Sequence, residues 1–165
     1  MDVVQAVSHG FSVYDVLDTY GHTEAYFDTL FGQNDPDFNE QLLDVFDHEV
    51  SARNLLILDR LEILPNYRGC KMGLSIIRHQ IARFSAGAGV VAIKPFPLQF
   101  ESSSNETDEK NWRADMMLDK LSGSVRSATE KLCDYYVQLG FRRIARTPFL
   151  AVSTDWNLTE TCSSR

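Results

Sequence analysis

Residues 54–84 read NLLILDRLEILPNYRGCKMGLSIIRHQIARF and decide the predicted fold. The run opens with a short apolar segment rich in Leu and Ile, which is typical of a buried strand over residues 55–64. Pro65 closes this strand, because proline has no backbone N–H to donate to a central ladder. After a turn at residues 66–71, apolar side chains recur at helical spacing: Leu74, Ile77, Ile81 and Phe84. The predicted unit is strand, glycine-containing turn and helix, and the N–H groups at the start of such a helix suit a phosphate or pyrophosphate.

Further strands are predicted on the C-terminal side of this unit. Residues 90–94 form a compact β-rich run that ends at Pro95. The helix between the two runs predicts a right-handed crossover, which would lay the strands side by side and parallel. Two more short strands are predicted near residues 141–146 and 149–154. Residues 101–111 are predicted to be an exposed loop, residues 112–138 mostly helix, and residues 155–165 a loose tail.

The N-terminal third contains helical patterns and no paired strands. Residues 1–31 are predicted to be mainly helical, and a second acidic helix is predicted from Phe38 to about residue 47. The strand at residues 55–64 would therefore lie at an open edge of the sheet. We expect the N-terminal helices, or a second copy of the chain in a homodimer, to cover that edge.

Composition and charge narrow the possible functions. The chain has 165 residues, 44% of them hydrophobic, which fits one domain, 1–165, with an acidic helical part at 1–50. Residues 1–50 hold 11 of the 23 acidic residues and no Lys or Arg, whereas the remainder holds all 16 basic residues against 12 acidic ones. This distribution argues against nucleic-acid binding by the N-terminal part and suits a cationic substrate or partner, although the acids could equally line solvated helix faces.

Targeting and metal signals are absent from the sequence. No apolar run is long enough to cross a membrane, and no signal pattern opens the chain. The three cysteines, Cys70, Cys133 and Cys162, are too widely spaced for a disulfide framework, and the four histidines lack ligand spacing. We therefore predict a cytoplasmic protein with no metal site.

Two motifs resemble the GNAT acetyltransferases. The first resembles the family's acyl-CoA-binding motif, Arg/Gln-x-x-Gly-x-Gly/Ala after a strand ending in Val/Ile-x-Pro, and is carried by Leu61, Ile63, Pro65, Arg68, Gly69 and Gly73. Lys71 departs from the pattern, since the family usually has its first glycine there. The second is YYVQLGF at residues 135–141, which resembles the family's aromatic pair followed by x-x-Leu-Gly-Phe. The resemblance covers about residues 54–154, and the family's early strands are missing.

The resemblance implies a GNAT-like α/β (α+β) fold with a mixed sheet, in which residues 54–154 form the acyl-CoA-binding core. The two parallel strands would splay apart to admit the pantetheine arm of acetyl-CoA, and the strands near 141–146 and 149–154 would be antiparallel. The implied reaction is acetyl transfer to a primary amine by direct attack on the thioester. The implied cofactor-binding residues are Leu61, Ile63, Arg68, Gly69, Cys70, Lys71, Met72, Gly73 and Leu74.

The tyrosine assignment rests on the same resemblance, whereas a general base is sought because the attacking ammonium must lose a proton. Tyr136 takes the position of the family's catalytic tyrosine and would donate a proton to the leaving thiolate, unless it only packs beside Tyr135. Glu62 is the candidate general base, and it would face either the acceptor or solvent; His48, Glu49 and Asp59 are lesser candidates. Arg68 would anchor the phosphates or remain in solvent, and Lys71 would attract the pyrophosphate or obstruct it.

A second function also fits the sequence. The missing early strands and Lys71 also fit a binding or scaffold protein of this fold with weak or no catalysis. Under either hypothesis the sequence does not identify the acceptor, which could be a small molecule or an amine on a protein.

Overall fold

The computed structural model describes residues 2–19, 21–32, 36–101, 106–121 and 123–155. These residues form an α+β fold whose strands are β1 (Asn54–Leu58), β2 (Ala88–Ile93), β3 (Arg142–Arg143) and β4 (Leu150–Ser153). The helices are α1 (Val3–Ser8), α2 (Val13–Asp18), α3 (Glu24–Leu30), α4 (Glu40–Leu43), α5 (Met72–Phe84), α6 (Glu106–Asp115) and α7 (Val125–Val137). Short 3-10 turns lie at Pro65–Tyr67, Leu98–Phe100 and Leu118–Lys120. The predicted fold class, a mixed sheet flanked by helices with a helical N-terminal third, is confirmed.

The sheet has the order β1-β2-β4-β3. β1 and β2 are parallel, with Leu55 beside Val90 and Leu58 beside Ile93. β4 is antiparallel to both β2 and β3. The predicted parallel and antiparallel pairs are therefore present, and α5 forms the crossover between the parallel strands.

Strands β1, β3 and β4 are shorter than the sequence pattern predicts, whereas β2 covers Ala88–Ile93 instead of residues 90–94. β1 ends at Leu58 rather than at residue 64, because β2, its ladder partner, ends at Ile93 and Pro95 cannot donate a hydrogen bond. Residues 59–64 thus leave the sheet as an irregular segment. β3 covers two of the predicted six residues, since the chain turns at Arg146, whose φ is 60°.

The N-terminal helices pack on one face of the sheet rather than along its edge. Their apolar side chains, among them Tyr26, Leu30 and Leu42, share a core with Leu55 and Val90. The opposite face carries α5 and α7 in a second core. At the edge strand itself, α1 approaches the start of β1, where the Val3 N–H donates to Asn54 Oδ1 at 2.8 Å. The predicted acidic helix over residues 38–47 is limited to Glu40–Leu43.

Gly89 allows the chain before β1 to pass close to β2. A Cβ at this position would collide with the Ala52 carbonyl oxygen and lie 2.6 Å from Val50 Cγ1. The parallel register shifts beside it, because Asn54 pairs with Ala88 whereas Leu55 pairs with Val90. Glycine is therefore required where the N-terminal third joins the sheet.

Helix α6 occupies part of the predicted loop at residues 101–111. It begins at Glu106, and residues 102–105 lie outside the described part of the chain. Its first turns are polar and lack an apolar period, so the sequence pattern did not reveal them. Arg113 holds its end by donating to the carbonyl oxygens of Gln99 at 3.1 Å and Glu101 at 3.4 Å.

Two predictions concern regions that the structure tests only in part. Of the predicted tail, residues 156–165 lie outside the described residues. No helix within the described ranges is long and apolar enough to cross a membrane.

Candidate active site

A cleft of about 1370 Å³ lies where the pairing of β1 with β2 ends, at Leu58 and Ile93. On the α5 and α7 face it is lined by Arg68, Gly73, Ile77, Leu132, Tyr135 and Tyr136. From the opposite face the α2–α3 connection and α3 contribute Gly21, His22, Ala25 and Tyr26. The cleft is therefore lined from both faces of the sheet, at the end of the β1–β2 pair.

The turn that precedes α5 has the geometry of an anion seat. A smaller pocket of about 190 Å³ lies here, lined in part by Arg68, Gly69, Lys71, Met72 and Gly73. Within the described residues, no protein acceptor takes the N–H groups of Met72 and Gly73. These groups stand at the positive end of a 13-residue helix, which favours a bound anion.

Lys71 keeps the backbone path that a glycine would take. Its φ of 58° and ψ of 17° lie in the left-handed region, and it is the N-cap residue of α5. A residue with a Cβ pays about 1–2 kcal/mol for this conformation. Lys71 therefore has a backbone conformation that favours glycine, although it carries a long charged side chain.

Tyr135 forms a hydrogen bond with the start of α5, a contact that the sequence pattern did not predict. Its hydroxyl oxygen accepts a hydrogen bond from the Leu74 N–H at 2.8 Å. A Cβ at Gly73 would lie 2.6 Å from that hydroxyl, so the glycine makes room for it. Only the aromatic pair in the second motif hinted at a tyrosine here.

The remaining predicted cofactor residues lie around the turn and the irregular segment before it. Leu61 and Ile63 line the large cleft. Arg68 lines both pockets, and its Nε donates to the Ile63 carbonyl oxygen at 2.8 Å, which ties the segment to the turn. Cys70 is exposed, and its thiol contacts the Tyr67 carbonyl oxygen at 3.1 Å.

Tyr136 lies in the cleft wall and is only 9% exposed. Its ring packs edge-on against Tyr135 and Phe141, with centroids 5.8 and 6.1 Å away. Burial raises the pKa of the Tyr136 hydroxyl to about 12. Among the described residues this hydroxyl has no hydrogen-bond partner, and the side chain both packs in the second core and lines the cleft.

Tyr26 approaches the same point from the other face of the sheet. Its hydroxyl oxygen accepts a hydrogen bond from the Lys94 N–H at 3.1 Å, just past the end of β2. Burial also raises the pKa of Tyr26, and Tyr136 adds to this rise. The two tyrosines thus flank the end of β2.

Glu62, the predicted base, is held away from the cleft. Its carboxylate accepts hydrogen bonds from Arg60 Nε at 2.5 Å and from Trp112 Nε1 at 3.0 Å, and Arg60 lies over the Trp112 ring. Burial acts to raise the Glu62 pKa, but these hydrogen bonds outweigh it and hold the pKa below its usual value. A carboxylate in this state is a poor proton acceptor.

The other base candidates are divided by the fold. Asp59 lines the cleft and lies 3.4 Å from His22. His48 contacts Ser153 Oγ at 3.0 Å, and neither His48 nor the exposed Glu49 lines the cleft.

Glu101 joins the cleft although no sequence signal marked it. One carboxylate oxygen accepts from Arg60 at 2.5 Å, while the other is buried and has no hydrogen-bond partner among the residues that the structure describes. Glu101 lies at the start of a polar segment with no apolar period, so the sequence gave no reason to single it out.

Comparison of the chain with protein-family models, with curated proteins and with solved structures finds no match. Across the described ranges, no three His, Cys, Asp or Glu side chains are grouped as metal ligands would be. The site must therefore be interpreted from its own residues.

Proposed function

We propose that this chain is an acetyl-CoA-dependent N-acetyltransferase of the GNAT type that acts on a primary amine. The observation that carries the proposal is the parting of β1 and β2 beside the N-terminus of α5, with Tyr136 in the wall of the same cleft. The GNAT resemblance of the two motifs supports it, because both motifs meet at this cleft.

The residues around the cleft fit coenzyme A. The N–H groups of Met72 and Gly73 would hold its pyrophosphate, and the positive charge of Lys71 would assist them. The apolar side chains of Leu61 and Ile63 would line the path of its pantetheine arm. When bound, the cofactor supplies an activated acetyl thioester.

Each chemical requirement of the transfer has a candidate group. The backbone N–H of Ile63 or Leu64, which lies beyond the sheet ladder, would polarise the thioester carbonyl. Tyr136 would supply a proton to the sulfur of coenzyme A, and burial raises its pKa so that the hydroxyl stays protonated at neutral pH. An alkylammonium loses two protons overall on becoming an amide: one reaches the thiolate, and the other leaves to solvent.

The proposal is tested by calorimetric titration of acetyl-CoA, followed by a free-thiol release assay over a panel of amines. We expect measurable binding and thiol release that depends on the amine. Tyr136→Phe should lower turnover by roughly 10²-fold or more, the usual contribution of general acid catalysis, and leave cofactor affinity unchanged.

Tyr14→Phe is the matched control, since Tyr14 lies on α2, is 37% exposed and does not line the cleft. It should leave turnover at the wild-type level. Equal losses of turnover and cofactor affinity in Tyr136→Phe would show that Tyr136 is structural.

One observation favours the alternative of a binding or scaffold protein without catalysis. The Tyr135 hydroxyl already takes the Leu74 N–H, one of the first N–H groups of α5. If this contact and Lys71 close the seat, the cleft would serve another ligand. If calorimetry detects no binding of acetyl-CoA at concentrations up to millimolar, the result supports this alternative.

A further inference from the structure

We propose that Asp59, together with His22, docks the ammonium group of the acceptor, and that the acceptor is a primary amine on an apolar aryl or alkyl body. The inference rests on the proposed transferase function and names its substrate class. It gives a role to the half of the cleft that is lined by the α2–α3 connection and α3, which the two sequence motifs do not cover.

The two faces of the sheet separate the two substrates. The phosphate turn and Tyr136 lie on the α5 and α7 face, so a cofactor held there occupies that half of the cleft. An amine that attacks the thioester must then enter from the opposite face, which the α2–α3 connection and α3 line with His22 and Tyr26. Direct attack requires both substrates to meet where the strands part.

Asp59 stands at the entrance to this second half. It follows β1 by one residue, and its contact with His22 of the α2–α3 connection places it on the side of the N-terminal helices. Its ionic partner in the structure is His22 at 3.4 Å, and the two side chains remain 56% and 59% exposed. A half-exposed carboxylate paired with an imidazole can accept hydrogen bonds from an incoming ammonium group.

Neighbouring charges do not replace Asp59 in this role. Glu62 and Glu101 both pair with Arg60 at 2.5 Å, so these carboxylates already have a cationic partner. The Nζ of Lys94 lies over the Phe149 ring, 5.7 Å from the ring centroid. Asp59 pairs instead with an imidazole, and its half-exposed side chain leaves room for an external cation.

The apolar body of the acceptor is inferred from Phe96. This side chain lines the cleft yet is 47% exposed, and Pro97 and Leu98 follow it in the same lining. Phe96 lies two residues after Lys94, whose N–H donates to the Tyr26 hydroxyl, and both Phe96 and Tyr26 line the cleft. An exposed aromatic side chain in a cleft offers a surface for the apolar part of a ligand.

The test measures steady-state kinetics with 2-phenylethylamine, and acetyl-CoA affinity is measured separately by calorimetry. Asp59→Asn should raise KM for this amine at least about tenfold, the effect of losing a hydrogen bond to a charged group, with cofactor affinity unchanged. Asp59→Glu should recover part of the loss. Phe96→Ala should raise KM for 2-phenylethylamine about fivefold or more and leave ethylamine kinetics nearly unchanged.

Asp134→Asn is the charge-matched control, because Asp134 is on α7, is 76% exposed at its side chain and lies outside the cleft. It should leave KM at the wild-type value. If acetyl-CoA binds and 2-phenylethylamine is acetylated but Asp59→Asn leaves KM unchanged, the docking assignment is overturned while the transferase remains. If amines that carry carboxylates are preferred over 2-phenylethylamine, the substrate class is overturned. Failure of acetyl-CoA to bind at all removes both proposals.

Discussion

Replacing Lys71 by glycine and, separately, by alanine distinguishes the effect of its backbone conformation in the turn before α5 from the effect of its charge. Lys71 has a φ of 58°, a conformation that costs a residue with a Cβ about 1–2 kcal/mol and costs glycine little. Glycine also gives the unfolded chain more freedom, which takes back about 0.4–1 kcal/mol. The net gain for Lys71→Gly is therefore about 1 kcal/mol or somewhat less.

Thermal unfolding followed by calorimetry measures this gain. For a chain of 165 residues, 1 kcal/mol corresponds to a rise in Tm of about 2–4 °C, so we expect Lys71→Gly to unfold up to that much higher than the wild type. Lys71→Ala keeps the Cβ and the strain and loses only the charge. Its stability should stay within about 0.5 kcal/mol of the wild type. Equal stability of the two variants would refute the interpretation of the turn.

The same pair of variants tests how Lys71 affects the cofactor. If its charge assists the pyrophosphate, both variants should bind acetyl-CoA more weakly than the wild type, by a similar factor of roughly three to ten. Tighter binding by Lys71→Gly than by the wild type would contradict this and show that the side chain obstructs the seat.

Two further predictions concern the sheet junction and the buried tyrosine. Gly89→Ala should destabilise the protein by about 3 kcal/mol, the upper range of overpacking, because its Cβ would meet backbone at Ala52; denaturant unfolding that shows less than 1 kcal/mol would contradict the close approach. Tyr136 should titrate near pH 12 in the folded protein, against about 10 when unfolded, so its contribution to stability is complete below pH 10 and is lost as the pH rises through 12. Absorbance titration at alkaline pH should therefore lose a late phase in Tyr136→Phe, and loss of a phase near pH 10 would contradict the burial.

The sheet was predictable because its strands carry local signals. The apolar runs that became β1 and β2 and the helix between them dictate a parallel pair, and the structure has this pair. The lengths of the strands were not predictable in the same way. β1 stops at Leu58 because its partner ends at Ile93, and such pairing is a property of two segments rather than one.

The candidate site was predictable where a motif fixes the backbone. The strand, turn and helix of residues 54–84 carry local sequence signals and are present in the structure, although the strand ends earlier than predicted. The contacts made by Glu62, Tyr135 and Glu101 arise between segments far apart in the chain. Glu62 and Trp112 are hydrogen-bonded although they lie 50 residues apart, and Leu74 and Tyr135 although they lie 61 residues apart. A local sequence pattern cannot predict contacts over such separations.

The central claim is that the amide groups at the start of α5 hold the pyrophosphate of coenzyme A. Its most direct test is a titration of the ¹⁵N-labelled protein with coenzyme A, in which the amide resonances of residues 69–74 are followed by NMR. We expect saturable shifts that are largest at Met72 and Gly73, accompanied by smaller shifts at Ile63. Shifts confined to residues outside this turn, or none at millimolar ligand, would contradict the claim.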